Sequence, residues 1–303
     1  MGAVKQSVWR ASRPLRRAIA HVRWRARRTT ADVVDRFRRG DRTVIATPGG
    51  MRFGNWLYLW LAAHQRTAEG RPTLVLEVPG MTPWLERFPA LSALTIRTQD
   101  LRFHDRREWK GGAALQRFGT DFTREALRRF VRDVLAPGIP TTPPAPVAVN
   151  VRRGDYYAYD GFRAMYGMDI EGFVREALAE IGPASAILVV SDDPQWCRDH
   201  LGGMLCAAAQ EVSYAERDPV GNFLAIASAP TLIGTNSTFS YWGGYVTDAI
   251  HDDAHVVMPR FHARMDDGWD AYQLDPAWTA LEGFDGREDP AAGSPSGGAR
   301  GAG

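Results

Sequence analysis

Two rhythms of apolar residues alternate along the chain. Short runs such as "TVIAT", "AILVVS", "TLIGT" and "HVVMP" are apolar almost throughout, as strands buried on both faces are. Between them lie longer stretches whose apolar residues recur every three or four positions, the spacing of a helix with one buried side. The first such alternation predicts a strand over 43–47, a glycine loop, a helix over about 55–68 and a strand over 73–78, a βαβ opening. The stretch 80–140 reads as mostly helical and basic-polar. It closes in "PGIPTTPPAP", whose prolines can continue neither a helix nor a central strand, which predicts an interdomain linker over 136–146.

From there one unit repeats. A strand over 147–152 is followed by a helix over 170–181 and a strand over 186–191. A helix opening at "DDPQW", a weak strand over 206–212 and a helix opening at "DPVGNF" come next. The series ends with a strand over 231–235, a helix over 240–250 and a strand over 255–259. Asp193-Pro194 and Asp218-Pro219 each join an acidic N-cap to proline at the first helical position. The alternation predicts an α/β protein with doubly wound parallel sheets and ligands at the strands' carboxyl ends. The expected organisation is a basic arm over 1–43, an α/β domain over 44–140, a second over 147–284 and a disordered tail over 285–303.

Composition changes this picture at the N-terminus. Net charge is only +2, yet residues 1–43 hold thirteen Lys/Arg against three Asp, so the arm carries +10 and the remainder −8. Pro14 can open a short helix there, with Leu15, Ile19 and Val22 on one side and arginines around the rest. Such a helix can lie on an anionic membrane surface through residues 8–28; a plain arginine-rich arm is the alternative. No Phe/Tyr stacking set accompanies the arginines, so a nucleic-acid partner is not expected. Two cysteines permit no disulfide framework or CxxC site, and no apolar run reaches bilayer length. The expected location is the cytoplasm, or the periphery of the membrane's inner face.

Candidate chemistry begins at "APVAVNVRRGDYYAYDG". Strand alternation puts Asn150 and Arg152 on one face and Arg153 on the other. A guanidinium at the strand end can clamp a phosphate bidentately; a salt bridge to Asp155 is the plainer role. "GTNSTFSYWGGYV" follows a second buried strand and opens a helix, offering free N–H groups and hydroxyls to an anion, or simply an N-cap. "TPGGMRFGN" brings glycines and Asn55 to the start of the first domain's helix, as an anion loop or a flexible turn.

Together these stretches resemble the α-1,2-fucosyltransferases of glycosyltransferase family 11, and more distantly the α-1,6- and protein O-fucosyltransferases. The motifs carrying the resemblance are "NVRRGDY", "VVSDDPQW", "NSTFSYWG" and "GGMRFGN", in family order over residues 45–260. The resemblance implies a B-type glycosyltransferase of two Rossmann-like domains. It implies inverting, metal-independent transfer of fucose from GDP-fucose, held by the second domain, to a glycan hydroxyl, with no further cofactor. Arg152 would hold the β-phosphate. Ser237, Thr238 and Phe239 would line the nucleotide and phosphates, and Gly54 and Asn55 would approach the sugar. Arg153, Asn236 and Ser240, in the same motifs, are expected to bind the substrate as well. Asn150 stands where relatives have histidine, and Asn222 where they have an acidic residue that meets guanine. Those two residues keep a different nucleotide sugar open as the donor. A non-catalytic nucleotide-sugar or glycan-binding protein is the further alternative.

The expected chemistry follows. Cleaving a sugar–phosphate bond adds negative charge to a diphosphate, which preorganised donors stabilise. The acceptor proton needs a base. Asp155, taken with Arg152 as the catalytic pair, shares that candidacy with Asp160 and Glu77. Asp192-Asp193 reads as strand end plus helix cap, and seven scattered histidines form no metal spacing.

Overall fold

A computed structural model describes residues 37–46, 49–110, 114–216, 218–265 and 271–286. The expected basic helix near Pro14, the membrane segment 8–28 and the tail beyond 286 lie outside the described residues.

The first sheet has four parallel strands in the order β3-β2-β1-β4: β1 (Thr43–Ala46), β2 (Thr73–Leu76), β3 (Thr95–Ile96) and β4 (Arg106–Trp109). Helix α1 (Phe53–Ala68) crosses from β1 to β2, and α2 (Thr82–Arg87) leads toward β3. After β4 comes α3 (Arg124–Phe130), which continues as a wider turn over Val131–Leu135. The stretch 80–140 thus supplies two strands as well as helix. Both are short, and β4 ("RREW") lies on a sheet edge with no apolar alternation, so periodicity does not reveal them.

The second sheet has six parallel strands in the order β10-β9-β8-β5-β6-β7. They are β5 (Val147–Val151), β6 (Ala184–Ser191), β7 (Ala209–Tyr214), β8 (Thr231–Gly234), β9 (His255–Pro259) and β10 (Thr279–Leu281). Between them run α4 (Gly154–Ala158), α5 (Asp160–Tyr166), α6 (Ile170–Ile181), α7 (Pro194–Ala208), α8 (Pro219–Ser228) and α9 (Thr238–Ile250). Asp193 caps α7 by accepting from the Trp196 N–H, and Asp218 caps α8 by accepting from Val220 and Gly221. From β7 to β10 this is the 3-2-1-4-5-6 order of a dinucleotide-type fold, so the strand order reverses between β5 and β8. The first sheet repeats its 3-2-1-4 portion.

Alternation along β5 and β6 divides the interior. Val147, Val149, Val151, Ile187 and Val189 face one apolar cluster beneath α6 and α7. Ala148, Leu188 and Val190 face another. That second cluster runs without a break through α8, α9, α1 and α3 to Ile45 and Val75 of the first sheet. Helix α1 is accordingly buried around most of its circumference, with Phe53, Trp56, Leu57, Tyr58, Leu59, Trp60 and Leu61 all inside. Ile139 and Ala145, within the proline-rich connection, join the same interior. The architecture is two Rossmann-like α/β units sharing one core, the B-type arrangement that the motif order implies.

Candidate active site

The carboxyl ends of β5 and β8, on either side of the strand-order reversal, open into a cleft of about 560 Å³. Loops outside a parallel sheet gather ligands at this point because adjacent connections leave toward opposite faces. The cleft is lined by Arg152, Asp155 and Asp192 from the second sheet's rim, by Ser237, Thr238 and Phe239 at the tip of α9, and by Arg52, Gly54 and Asn55 at the tip of α1.

Arg152 is held on several sides. Its backbone N–H donates to Thr235 Oγ1 at 2.9 Å, fastening the end of β5 to β8. Its guanidinium donates through Nη2 to Asp155 Oδ1 at 2.6 Å, and Nη1 pairs with Asp192 Oδ2 at 2.7 Å. The face of Tyr156 lies beneath it, 5.5 Å from Cζ to ring centre. With 31% of its side chain accessible, the group faces the cleft while tied to its rim. Gly154 of the "RRGD" stretch has a steric cause: a Cβ there would fall 2.3 Å from the Asp192 carboxylate.

Across the cleft the two helix tips touch. A Cβ on Gly54 would sit 2.6 Å from Thr238 Oγ1 and 2.7 Å from the Thr238 carbonyl carbon. Only glycine lets the start of α1 approach the start of α9 this closely. Ser237 is the N-cap of α9, its Oγ accepting from the Phe239 N–H at 3.2 Å. The hydroxyl is thus engaged in capping, while the first-turn backbone N–H groups carry the positive end of the helix dipole. Asn55 is oriented from behind: Gln116 Nε2 donates to its Oδ1 at 2.9 Å, and Gln273 Nε2 donates to Gln116 Oε1 at 3.1 Å. Both glutamines are buried.

Several sequence-selected residues sit elsewhere. Arg153 does not line the cleft: it stacks on Trp196 (3.9 Å) and Tyr157 (4.4 Å), and its Nε donates to Asp193 at 3.2 Å. Asn236 is buried, donating through Nδ2 to the carbonyls of Tyr166 and His262, each at 2.8 Å. Ser240 is buried too, donating to Asn150 Oδ1 at 2.7 Å, while Asn150 Nδ2 donates to Val190 O at 3.1 Å. Asn150 borders the cleft, but both ends of its amide are committed to the scaffold. Asn222 lines the cleft from α8. These buried polar groups place the rim strands relative to one another, since each would be costly without its partner.

Sequence reasoning passed over Arg52, Asp192, Gln116 and Gln273. Arg52 was visible inside "GGMRFGN"; it is exposed, lines the cleft and makes no ion pair with a described residue. Asp192 was assigned to the strand end, yet its carboxylate holds Arg152 and accepts from the Arg153 N–H at 2.8 Å. The glutamines carry no local signal. Glu77 lies outside the cleft lining, paired at 3.6 Å with Arg97. Among the described residues no three His, Cys, Asp or Glu side chains gather as a metal-binding group.

Beyond the cleft, His262 is buried against Tyr241, whose hydroxyl is 3.1 Å from its Nδ1. Burial pushes its pKa down to about 4, so the ring is neutral at physiological pH. No helix among the described residues is long and apolar enough to cross a membrane.

Two Rossmann-like units that meet over a strand-end arginine and a capped helix tip define a glycosyltransferase of B-type architecture. The sequence model of glycosyl transferase family 11 matches residues 114–279, over half of the chain, and the protein belongs to that family. Among solved structures, it is similar to the E. coli heptosyltransferase WaaC with ADP-2-deoxy-2-fluoro heptose (10% identity, 79% of this chain and 92% of that one, TM-score 0.43). It is also similar to POFUT1 in complex with GDP (13% identity, 72% of this chain and 98% of that one, TM-score 0.37). A third similar structure is POFUT1 in complex with GDP-fucose (15% identity, 73% and 74%, TM-score 0.32). No curated protein matches the chain.

Proposed function

We propose that the protein transfers fucose from GDP-fucose to a glycan hydroxyl, with inversion and without a metal ion. The observation carrying this is the meeting of Arg152 and the Ser237–Phe239 helix tip in one cleft, opposite Gly54 and Asn55. The acceptor oxygen attacks the anomeric carbon from the face away from the diphosphate. The carbon–oxygen bond to the β-phosphate breaks, and its electron pair leaves with the nucleotide. Arg152 and the first-turn N–H groups of α9 stabilise the charge that grows on that diphosphate. Asp155, on the same rim, takes the acceptor's proton. Arg52 adds a second guanidinium from the opposite wall. The separation of the chain into units over 44–140 and 147–284 is part of this reading, with the donor on the second and the acceptor entering beside the first. So is peripheral attachment of a cytoplasmic protein to the inner membrane face through residues 8–28.

One observation favours a second donor class. Asn222 borders the cleft, and an amide offers one donor and one acceptor where a carboxylate accepts two guanine hydrogens. Nucleotide release from a panel of GDP-, UDP- and dTDP-sugars, with and without EDTA, separates the cases. GDP-fucose should turn over best and be indifferent to chelation. A better UDP- or dTDP-sugar overturns the donor, and release by none of them favours a binding protein.

A further inference from the structure

The segment 154–166 carries five aromatic rings, yet neither α4 nor α5 contains a buried residue. Tyr157 packs at the edge of the core beneath Arg153. The other four form a continuous surface. Tyr156 stacks on Tyr166 with ring centres 4.3 Å apart and planes 12° apart. Tyr166 meets Phe162 at 6.2 Å, and Phe162 meets Tyr159 at 6.1 Å with planes perpendicular. The series starts inside the cleft, which Tyr156, Tyr166 and Phe162 line beside Arg152 and Asp155, and it ends outside at Tyr159. Tyr159 is 64% exposed and Phe162 44%. Rings left this open need a reason other than packing.

The backbone beneath is fastened. Arg264 donates to the carbonyls of Ala164 (2.9 Å), Met165 (2.9 Å) and Gly167 (3.0 Å), and Asn236 donates to that of Tyr166. The rings therefore stand on an anchored support, so a ligand meets them with little ordering cost.

We propose that Phe162 and Tyr159, backed by the stacked pair Tyr166 and Tyr156, are the acceptor site, receiving the C–H face of a neutral hexose ring and leading its hydroxyl to Asp155. This rests on the transferase reading above. The ring faces are apolar and the tyrosines add hydroxyl tips, matching a pyranose that has one C–H face and polar edges. Charge selects among sugars. At the outer end of the series the exposed Asp160 adjoins Tyr159, while the Arg163 guanidinium turns toward the ring of Tyr157. A uronate or an anionic lipid surface would meet that carboxylate at the exposed rings, which leaves a neutral hexose as the occupant.

The test uses the full-length protein with Phe162→Ala, Tyr159→Ala and the milder Phe162→Tyr, all on exposed positions. Methyl β-galactoside, methyl β-glucoside, methyl α-mannoside and methyl β-glucuronide serve as probes, followed by saturation-transfer NMR, with GDP binding measured alongside. At least one neutral hexoside should transfer saturation from aromatic protons, and the alanine variants should weaken it about three- to tenfold. Phe162→Tyr should retain binding, the glucuronide should bind worst, and GDP affinity should be unchanged in every variant. The site is overturned if no neutral hexoside binds, if binding ignores both alanine substitutions, or if the variants instead lose affinity for phosphatidylglycerol vesicles. If hexosides bind as expected while no nucleotide sugar is turned over, the acceptor surface stands and the transferase reading falls.

Discussion

Arg152 and Arg153 are adjacent in sequence and lead to two different regions. On the cleft side, Arg152 projects between two carboxylates beside the helix tip of α9, partly open and aimed where a ligand would lie. On the other side, Arg153 is sandwiched by Trp196 and Tyr157, and its Nε meets the carboxylate that caps α7. One peptide step at the end of β5 sends the same side-chain type to opposite faces of the sheet. The first face sets its guanidinium and a helix tip at the rim of a cleft, whereas the second uses the guanidinium as a flat packing piece. A motif containing two arginines thus encodes one group for chemistry and one for architecture.

That contrast can be broken most sharply at Arg152. Arg152→Lys keeps the charge but loses the fork, and turnover should fall about 10²–10³-fold with little change in melting temperature. Arg153→Lys should do the reverse, costing about 1–2 kcal/mol of stability through lost stacking while turnover stays within a few-fold. Steady-state rates and denaturant melts on both variants check the pair, and equal loss of turnover would erase the distinction. Gly54→Ala comes next in size. Its methyl would press on the Thr238 backbone, so the helix tips must part at a cost of about 1–3 kcal/mol, with turnover reduced about tenfold or more.

An effect seen only as pH changes concerns the scaffold behind the cleft. His262 has a folded-state pKa of about 4, below its unfolded value near 6.5. The unfolded chain therefore binds the proton first, and stability falls as pH drops from about 6.5 toward 4. His262→Asn should remove about 2–3 kcal/mol of that pH dependence, read from urea melts at pH 7 and pH 4.5.

Much of the second unit could be read along the chain because its signals are local. The helix over 170–181 and the capped starts at Asp193 and Asp218 appear where pattern and capping chemistry place them. β3, β4 and β10 stayed hidden, being two to four residues long and only partly apolar. Helices α4 and α5 were missed because no buried stripe marks them. In the site, Arg152, Asp155, Asn55 and Thr238 occupy the cleft their motifs suggested, but Asn236 and Ser240 turn inward. A motif names residues without saying which hydroxyl or amide faces the ligand; tertiary partners decide that. Gln116 and Gln273 lie 157 positions apart and meet only through the fold.

Helix α1 is buried around most of its circumference, wedged among elements of both units. A wedge gripped from both sides leaves no slip plane, so opening the molecule like a hinge would expose Tyr58, Trp242 and Tyr245 to water together. Traffic into the cleft is then expected to use side-chain and short-segment motion around Phe162 rather than swinging of whole lobes. Small-angle scattering should accordingly give one radius of gyration with and without nucleotide.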